Sequence, residues 1–188
     1  SFFDQNTGEF YRFYKDKVLA LHAKPNPAHD ALARLEATGK LRAVVTQNID
    51  GLHQMAGSRH VLELHGSVHR NYCMACGKFY PAAYVAAAPD VPHCECGGVV
   101  KPDVVLYEEG LDHATLQQAI SCIRACDLLI IGGTSLVVYP AAGLVDYFRG
   151  AHLAVINRTN LGDCGADLFL RGSIGQVLSG IKISPSGQ

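Results

Sequence analysis

Four of the seven cysteines in this 188-residue chain stand in two close pairs, which restricts how the backbone around them can fold. The pairs are Cys73-x-x-Cys76 and Cys94-x-Cys96, and residues 77–93 lie between them. Two short pairs at this distance are typical of a tetrahedral zinc site with four thiolates, which leaves no open position for water. Nearby glycines at 77, 97 and 98 permit the tight turns that such a site requires. The sequence therefore predicts one structural Zn²⁺ ion bound by Cys73, Cys76, Cys94 and Cys96.

Disulfide bonds are the alternative use of these thiols, and other features of the sequence argue against them. The segment Ser1-Phe2-Phe3-Asp4 lacks the charged and apolar regions of a secretion signal, so we expect a cytoplasmic protein with reduced thiols. Three further cysteines, Cys122, Cys126 and Cys164, fall in apolar patterns, and we expect them to be small buried residues. The single residue between Cys94 and Cys96 is a tighter spacing than the common two.

Composition limits the classes of partner that the chain can have. The formal net charge is −1, from 16 basic and 17 acidic residues, which gives no electrostatic reason to expect nucleic acid or an anionic membrane surface. Hydrophobic residues make up 48% of the chain, enough for a buried core. No apolar run approaches the roughly 20 residues that span a bilayer. The length suits one domain, or one domain with a small insert.

Outside the cysteine segment, helix patterns alternate with short apolar runs. Asn26 and Pro27 begin a helix that ends at Gly39, and Asp112 begins another. Further helices are predicted within Pro81–Pro92 and over Pro140–Phe148, and the apolar runs are Leu41–Val45, Asp103–Tyr107, Asp127–Ile131 and His152–Asn157. Continuous apolar strands separated by helices indicate an α/β fold, in which a parallel sheet is covered on both faces.

Polar clusters follow three of these strands: residues 47–50, 133–135 and 157–159. We expect them along one rim of the sheet, where open α/β sheets bind dinucleotides. Backbone N–H groups of Gly133-Thr134-Ser135 can meet phosphate or ribose, and the side chains after the first strand can bind ribose or a carboxamide. His65 is a candidate base for a sugar hydroxyl. The alternative is a set of polar loops with a surface histidine.

Taken in order, several motifs resemble those of sirtuins, the NAD-dependent protein lysine deacylases, and of the bacterial type in particular. The matching stretches are Ala23–His29, Thr46–His53, Glu63–Gly66, the four paired cysteines, Lys101–Glu109, Gly133–Leu136 with Pro140-Ala141, and Ile156-Asn157. The resemblance covers essentially the whole chain. It implies a Rossmann-like NAD-binding domain over residues 1–66 and 101–188, and a zinc-ribbon module over 67–100. NAD and acyl-lysine would enter the cleft between them.

The same resemblance implies a role for individual residues. His65 would be the general base acting on the NAD ribose, and Asn48 and Asp50 would shape the nicotinamide pocket as catalytic residues. Other contacts to NAD would come from Gln47, Ile49, Gly133, Thr134, Ser135, Asn157, Arg158, Thr159 and the backbone near Ile174. The segment Val104, Val105 and Leu106 would hold acyl-lysine and pair with an extended peptide. Products would be free lysine, nicotinamide and O-acyl-ADP-ribose.

Acyl preference is predicted from a second motif. Sirtuins that favour succinyl or malonyl lysine carry Tyr-x-x-Arg, and the comparable stretch here is Tyr11-Arg12-Phe13-Tyr14. A phenol cannot replace the bidentate, charged contact of a guanidinium with a carboxylate. We therefore expect acetyl and other neutral acyl groups to be preferred.

Two departures from the family pattern stand out. Family members begin with a strand and a Gly-Ala-Gly-Ile-Ser turn, which is not found in these 188 residues, so we expect the first βα unit to be missing. The alternative function is accordingly a truncated, inactive fragment that binds NAD, ADP-ribose or acyl-peptide. A zinc-ribbon interaction module is a third possibility, although the segment around the cysteines is not notably basic. In addition, Tyr107-Glu108-Glu109 replaces the common Phe-Gly-Glu.

Overall fold

The computed structural model describes residues 1–134, 141–159 and 165–182, and the chain divides into two compact units. The cysteine unit comprises Ser1–Ala23, Thr46–Gly51 and His65–Leu111. The sheet unit comprises Lys24–Val45, Leu52–Leu64 and Asp112–Gln188. Residues 1–23 thus group with the cysteines, whereas the sequence places them in the Rossmann-like domain; that domain division stays a prediction.

The described residues contain short strands and helices in the following order. The strands are β1 (Val44–Thr46), β2 (Val61–Glu63), β3 (Gly66–Cys73), β4 (Phe79–Pro81), β5 (Val100–Val104), β6 (Leu128–Gly132), β7 (His152–Asn157) and β8 (Leu168–Arg171). The α-helices are α1 (Phe2–Gln5), α2 (Thr7–Phe13), α3 (Pro27–Ala37), α4 (Leu52–Met55), α5 (Ala82–Ala87), α6 (His113–Arg124) and α7 (Ile174–Ser179). A π-helical turn over Tyr14–Val18 continues α2, and Ala141–Tyr147 forms a 3₁₀-helix.

In the cysteine unit, β3 lies between β4 and β5 in an antiparallel sheet. An aromatic cluster, formed by Phe3 of α1, Tyr11 of α2 and Tyr14 of the π-helical turn, is buried in the same core as Val85 and Val100. The Tyr11 hydroxyl donates to the backbone carbonyl of Val100. Because this bond joins residues 11 and 100, it ties the first helices to the last strand of the unit.

The run Asp103–Tyr107 is not a strand of the parallel sheet, so that prediction was wrong. The strand is β5, Val100–Val104, and it pairs antiparallel with β3. Pro102 lies buried in this strand opposite Asn71, where the β3–β5 register shifts between Ser67 and Asn71. A bulge is one of the places where a strand accepts proline, which has no N–H to donate to the ladder.

In the sheet unit, β6, β7 and β8 form a parallel sheet with β7 in the centre. Adjacent residues of β7 point to opposite faces. Ile156 packs with Ala28 of α3 and Leu178 of α7 on one face, and Val155 packs with Leu153 and Ile131 on the other. A parallel sheet with apolar cores on both faces confirms the predicted α/β class.

Several predicted elements are confirmed by their capping contacts. The Asn26 side chain accepts a hydrogen bond from the Ala28 N–H at 2.9 Å and begins α3. Asp112 accepts from the Thr115 N–H at 2.7 Å and begins α6. Strand β7 has the predicted bounds and α5 lies within the predicted helix, whereas Pro140 lies outside the described residues. The described elements that the sequence did not predict are β2, β3, β4, β8, α1, α2, α4 and α7.

The expectation that the strands before the three polar clusters belong to one sheet was wrong for the described residues. Strand β1 pairs with β2, and within the described ranges this pair forms a sheet separate from β6, β7 and β8. An apolar run predicts a buried strand but does not specify which strand lies beside it. In the part of the chain that the structure describes, no helix is long and apolar enough to cross a membrane.

Candidate functional site

Three backbone carbonyls of the loop 47–50 accept hydrogen bonds from the segment His65–His69, all within the cysteine unit. The Gln47 carbonyl contacts His65 Nδ1 at 3.0 Å, and the Asp50 carbonyl contacts His69 Nε2 at 2.9 Å. Between them, the Val68 N–H donates to the Ile49 carbonyl at 2.9 Å. The main chain of the loop is therefore held from one side, while the Asn48 side chain is exposed.

The contact with Gln47 fixes which nitrogen of His65 can act as a base. A backbone carbonyl only accepts hydrogen bonds, so Nδ1 must carry the proton in the neutral imidazole. The basic lone pair is then on Nε2. His65 is half-buried, and this tautomer lets Nε2 accept a proton, as a general base must.

Gly66 brings β3 unusually close to the end of β5. Its φ is +76°, and a Cβ atom there would lie 1.9 Å from the Asp103 carbonyl oxygen. Next to it, the Val105 N–H donates to the His65 carbonyl at 3.0 Å. The backbone of the predicted acyl-lysine segment, residues 104–106, is thus directly hydrogen-bonded to the candidate base residue.

The same segment is braced by a carboxylate. Glu109 accepts a hydrogen bond from the Leu106 N–H at 2.9 Å and forms an ion pair with Lys101 at 3.1 Å. Between these residues, Glu108 has a φ of +75°, which is uncommon for a residue other than glycine. Tyr107 is 98% exposed.

A pocket of about 560 Å³ lies in the sheet unit, at the carboxyl ends of its parallel strands. Its volume is within the range of about 300–1,000 Å³ that small-molecule sites occupy. The lining residues are Asn26, Pro27, Gly133, Ile156, Asn157, Arg158, Gly172, Ser173, Ile174, Gly175 and Gln176. The wall combines aliphatic groups, small residues, three side-chain amides and a guanidinium, a set that suits a nucleoside bearing phosphate.

Asn157 organises the polar edge of this pocket. Its Nδ2 donates to the Thr134 carbonyl at 3.0 Å and to the Thr159 hydroxyl at 3.4 Å, and its Oδ1 accepts from the Arg158 N–H at 3.1 Å. Below it, Gly132 makes room for Ile174, because a Cβ at Gly132 would lie 2.2 Å from the Ile174 Cδ1 atom. One amide side chain therefore connects the ends of β6 and β7.

The four paired cysteines converge on one point, with all sulfur atoms within 4.8 Å of one another. The Sγ atoms of Cys73 and Cys96 lie 3.5 Å apart, and those of Cys76 and Cys94 lie 3.6 Å apart. Sulfurs in a disulfide are about 2.05 Å apart. Sulfurs that bind one tetrahedral zinc at about 2.3 Å lie roughly 3.8 Å apart. The spacing thus fits a shared zinc ion and excludes disulfides.

Electrostatics in the cluster also favour a cation. The backbone N–H of Cys96 and the Tyr80 hydroxyl donate to Cys94 and lower the pKa of its thiol to about 6. Although the Gly98 N–H donates to Cys96, hydrogen bonding with the other three thiols raises the pKa of Cys96 to about 12. Four clustered thiols cannot all ionise unaided, and a bound divalent cation removes this conflict. Outside the cluster, Cys122 and Cys126 are half-buried rather than buried, and Cys164 is not among the described residues.

Comparison with known proteins identifies the family. The model of the Sir2 family matches residues 1–140. The chain belongs to the Sir2 family. A Clostridium acetobutylicum protein named NAD-dependent protein deacetylase is 56% identical to this sirtuin over 181 residues, which are 95% of the chain and 74% of that protein. A Clostridium perfringens protein of the same name is 58% identical over 181 residues, with the same coverage of both chains.

Solved structures agree with this assignment. A structure described as Sir2 bound to acetylated peptide superposes on the sirtuin chain with a TM-score of 0.86 and 39% identity, covering 94% of this chain and 78% of the other. One described as Sir2 with p53 peptide and NAD+ gives a TM-score of 0.85 at 39% identity, covering 94% and 77%. The resemblance inferred from the sequence motifs is therefore confirmed.

The predicted site residues of this sirtuin fall into two groups. Gly133, Asn157, Arg158 and Ile174 come together around the pocket, and Asn157 links Thr134 and Thr159 to it. The second group lies in the cysteine unit, where residues 47–50, His65 and the segment 104–106 are joined through backbone contacts. Ser135 lies outside the described residues.

Sequence reasoning missed two parts of the site. One is the pocket wall contributed by Gly172, Ser173, Gly175 and Gln176, which follows the unpredicted strand β8. The signal was present, because Leu-Phe-Leu before Arg171-Gly172-Ser173 is a further apolar run with a polar end. The other is His69, whose position in sequence gives no sign that its side chain reaches the loop 47–50.

Proposed function

We propose that this Sir2-family chain removes acyl groups from lysine side chains while consuming NAD, with nicotinamide and O-acyl-ADP-ribose as products. The relatives named NAD-dependent protein deacetylase support this activity, and the contact of His65 Nδ1 with the Gln47 carbonyl is the observation that carries it. With Nδ1–H held by the Gln47 carbonyl, Nε2 is left to accept the proton of a ribose hydroxyl.

The pocket of the sheet unit would hold the adenosine half of the dinucleotide. Ile174 and Ile156 offer apolar contact to a base, Asn157 offers amide groups to ribose, and Arg158 offers charge to phosphate. Bound NAD supplies the ribose carbon that receives the acyl oxygen. In the cysteine unit, Gln47, Asn48, Ile49 and Asp50 would shape the nicotinamide end, where Asn48 is exposed for contact.

The substrate would be an acyl-lysine peptide bound in extended form along residues 104–106. Glu109 holds the Leu106 N–H and Val105 donates to His65, so the backbone of this segment is already ordered for strand addition. Solved relatives described with acetylated or p53 peptide support a peptide partner.

Other expectations belong to the same proposal. The zinc ion would be structural, because four thiolates complete a tetrahedral site. A net charge of −1 supports the absence of direct nucleic acid and membrane partners. Unpaired thiols suit a cytoplasmic location, where disulfides are rare. The Rossmann-like domain would comprise residues 1–66 and 101–188, and the zinc module 67–100.

Replacement of the base tests the proposal. His65→Ala should lower nicotinamide release and deacetylation of an acetyl-lysine peptide by about 10²–10⁴-fold, the usual contribution of a positioned base. The matched control is His22→Ala, an exposed histidine elsewhere in the cysteine unit, which should retain the wild-type rate. Zinc content should be equal in both variants. Wild-type turnover by His65→Ala would refute the assigned role.

A further inference from the structure

The strand β3 departs from its ladder with β5 beside the candidate base. Gly66 and Ser67 pair with Val104 and Asp103, and pairing resumes only at Asn71 opposite Pro102. Residues 68–70 are therefore outside this ladder. Bulges of this kind redirect side chains and are frequent beside active sites.

Residues of the bulge that do not pair with β5 form hydrogen bonds with the loop 47–50. The Val68 N–H donates to the Ile49 carbonyl, and the exposed His69 ring donates through Nε2 to the Asp50 carbonyl at 2.9 Å. The ring also covers Gly51, because a Cβ there would lie 2.6 Å from the His69 Cδ2 atom. Gly51 has a φ of +69°, a left-handed backbone conformation that glycine adopts without steric cost.

We propose that His69 is a positioning residue for the reaction: from the bulge in β3 it fixes the Asp50 carbonyl and thereby the direction of the Asn48 and Asp50 side chains. The inference rests on the proposed function, which assigns these two side chains to the nicotinamide pocket. His65 and His69 then anchor the two ends of one loop, at Gln47 and Asp50. His69 does not itself contact the reacting atoms.

Three variants separate positioning from general structural support. His69→Leu removes the donor and keeps a side chain of similar size. His69→Gln restores an N–H at the same number of bonds from Cα. The control is His60→Leu, which removes an exposed imidazole that donates through Nδ1 to the Arg42 carbonyl at 2.8 Å in the sheet unit.

Steady-state kinetics with an acetyl-lysine peptide and NAD give the first measurement. His69→Leu should lower kcat/KM for NAD by about 10–100-fold, since a displacement of about 1 Å can cost on the order of 10²-fold, and leave the KM for peptide unchanged. His69→Gln should recover most of the loss, and His60→Leu should behave as wild type. Equal activity of His69→Leu and His60→Leu would overturn the proposal, as would failure of His69→Gln to recover.

Hydrogen exchange of residues 46–51 gives a second measurement that needs no turnover. In His69→Leu these amides should exchange roughly threefold to tenfold faster, the range expected for loss of one net hydrogen bond. The rest of the cysteine unit should exchange at the wild-type rate. Unchanged exchange in the loop would refute the anchoring role even if activity fell, and an inactive wild-type protein would count against the proposed function alone.

Discussion

Gly66 is the residue at which fold and chemistry depend most directly on the lack of a side chain. Its positive φ and its close approach to Asp103 place the preceding residue, His65, against the end of β5. The family motif already pointed to His65 and Gly66 from the sequence. The sequence does not show why residue 66 must be glycine, because Asp103, which approaches it in the fold, lies 37 positions later in the chain.

Replacement of Gly66 by alanine should therefore be costly. We expect Gly66→Ala to lower the free energy of unfolding by more than about 1–2 kcal/mol, the usual cost of left-handed backbone for a residue with Cβ, because the carbonyl of Asp103 must also move. Deacetylation should fall with it. Chemical denaturation measures the change in stability, and steady-state kinetics measure the change in deacetylation.

Gly8 provides the matched control for this substitution. It lies within α2, and nothing lies within 4 Å of the position that a Cβ would take. Gly8→Ala should leave stability equal or raise it by up to about 1 kcal/mol, because alanine is the better helix former. Equal stability of the two variants would contradict the close contact at Gly66.

The buried phenols of Tyr11 and Tyr14 bear on acyl preference. Burial raises the pKa of both, so they stay neutral, and the Tyr14 hydroxyl has no hydrogen-bond partner among the residues that the structure describes. Neither can neutralise a carboxylate. We expect an acetyl-lysine peptide to be processed faster than the same peptide carrying succinyl-lysine, as measured by nicotinamide release. Faster removal of succinyl would show that a cationic side chain, such as that of the neighbouring Arg12, binds the carboxylate of the acyl group.

At the scale of elements, helix starts marked by a polar cap were easier to predict than the pairing of strands. The caps Asn26 and Asp112 are local signals, and both act as predicted. Strand pairing is not a local property, because the same apolar sequence could form a strand of the parallel or of the antiparallel sheet. Only packing in the folded chain places Pro102 of β5 in the core beside β3. The sequence signal for β8 is weak, because its apolar run is only Leu168–Leu170, and the strand was missed.

The cysteine pairs make a prediction about an element that depends on metal. Cys76→Ser should lose zinc and destabilise the β3–β4–β5 sheet, because the energy of zinc binding is part of the folding energy there. The control is Cys122→Ser in α6, outside the cluster, which should keep one zinc per chain. Elemental analysis measures the zinc content of both proteins. Zinc retained by Cys76→Ser would refute the four-thiolate site.

At the scale of the whole molecule, each unit contains buried clusters made of its own described residues. Cys73 and Cys94 belong to the core of the cysteine unit, whereas the clusters around Ile156 and Val155 contain only residues of the sheet unit. Removal of zinc by a chelator should therefore accelerate amide exchange in β3 and β5 and leave β6 and β7 protected. Added Zn²⁺ should reverse the change. Simultaneous loss of protection in both units would show that they unfold together.

The long-range hydrogen bond between Tyr11 and Val100 cannot form until the ribosome has synthesised β5. Its two residues are 89 positions apart, and at about 5–20 residues per second a ribosome takes roughly 4–18 s to make that stretch. Throughout this interval Phe3, Tyr11 and Tyr14 lack the strand that covers them in the finished protein. The aromatic segment made early is thus among the last of its unit to become buried, and it stays accessible to chaperones and proteases until β5 has been synthesised.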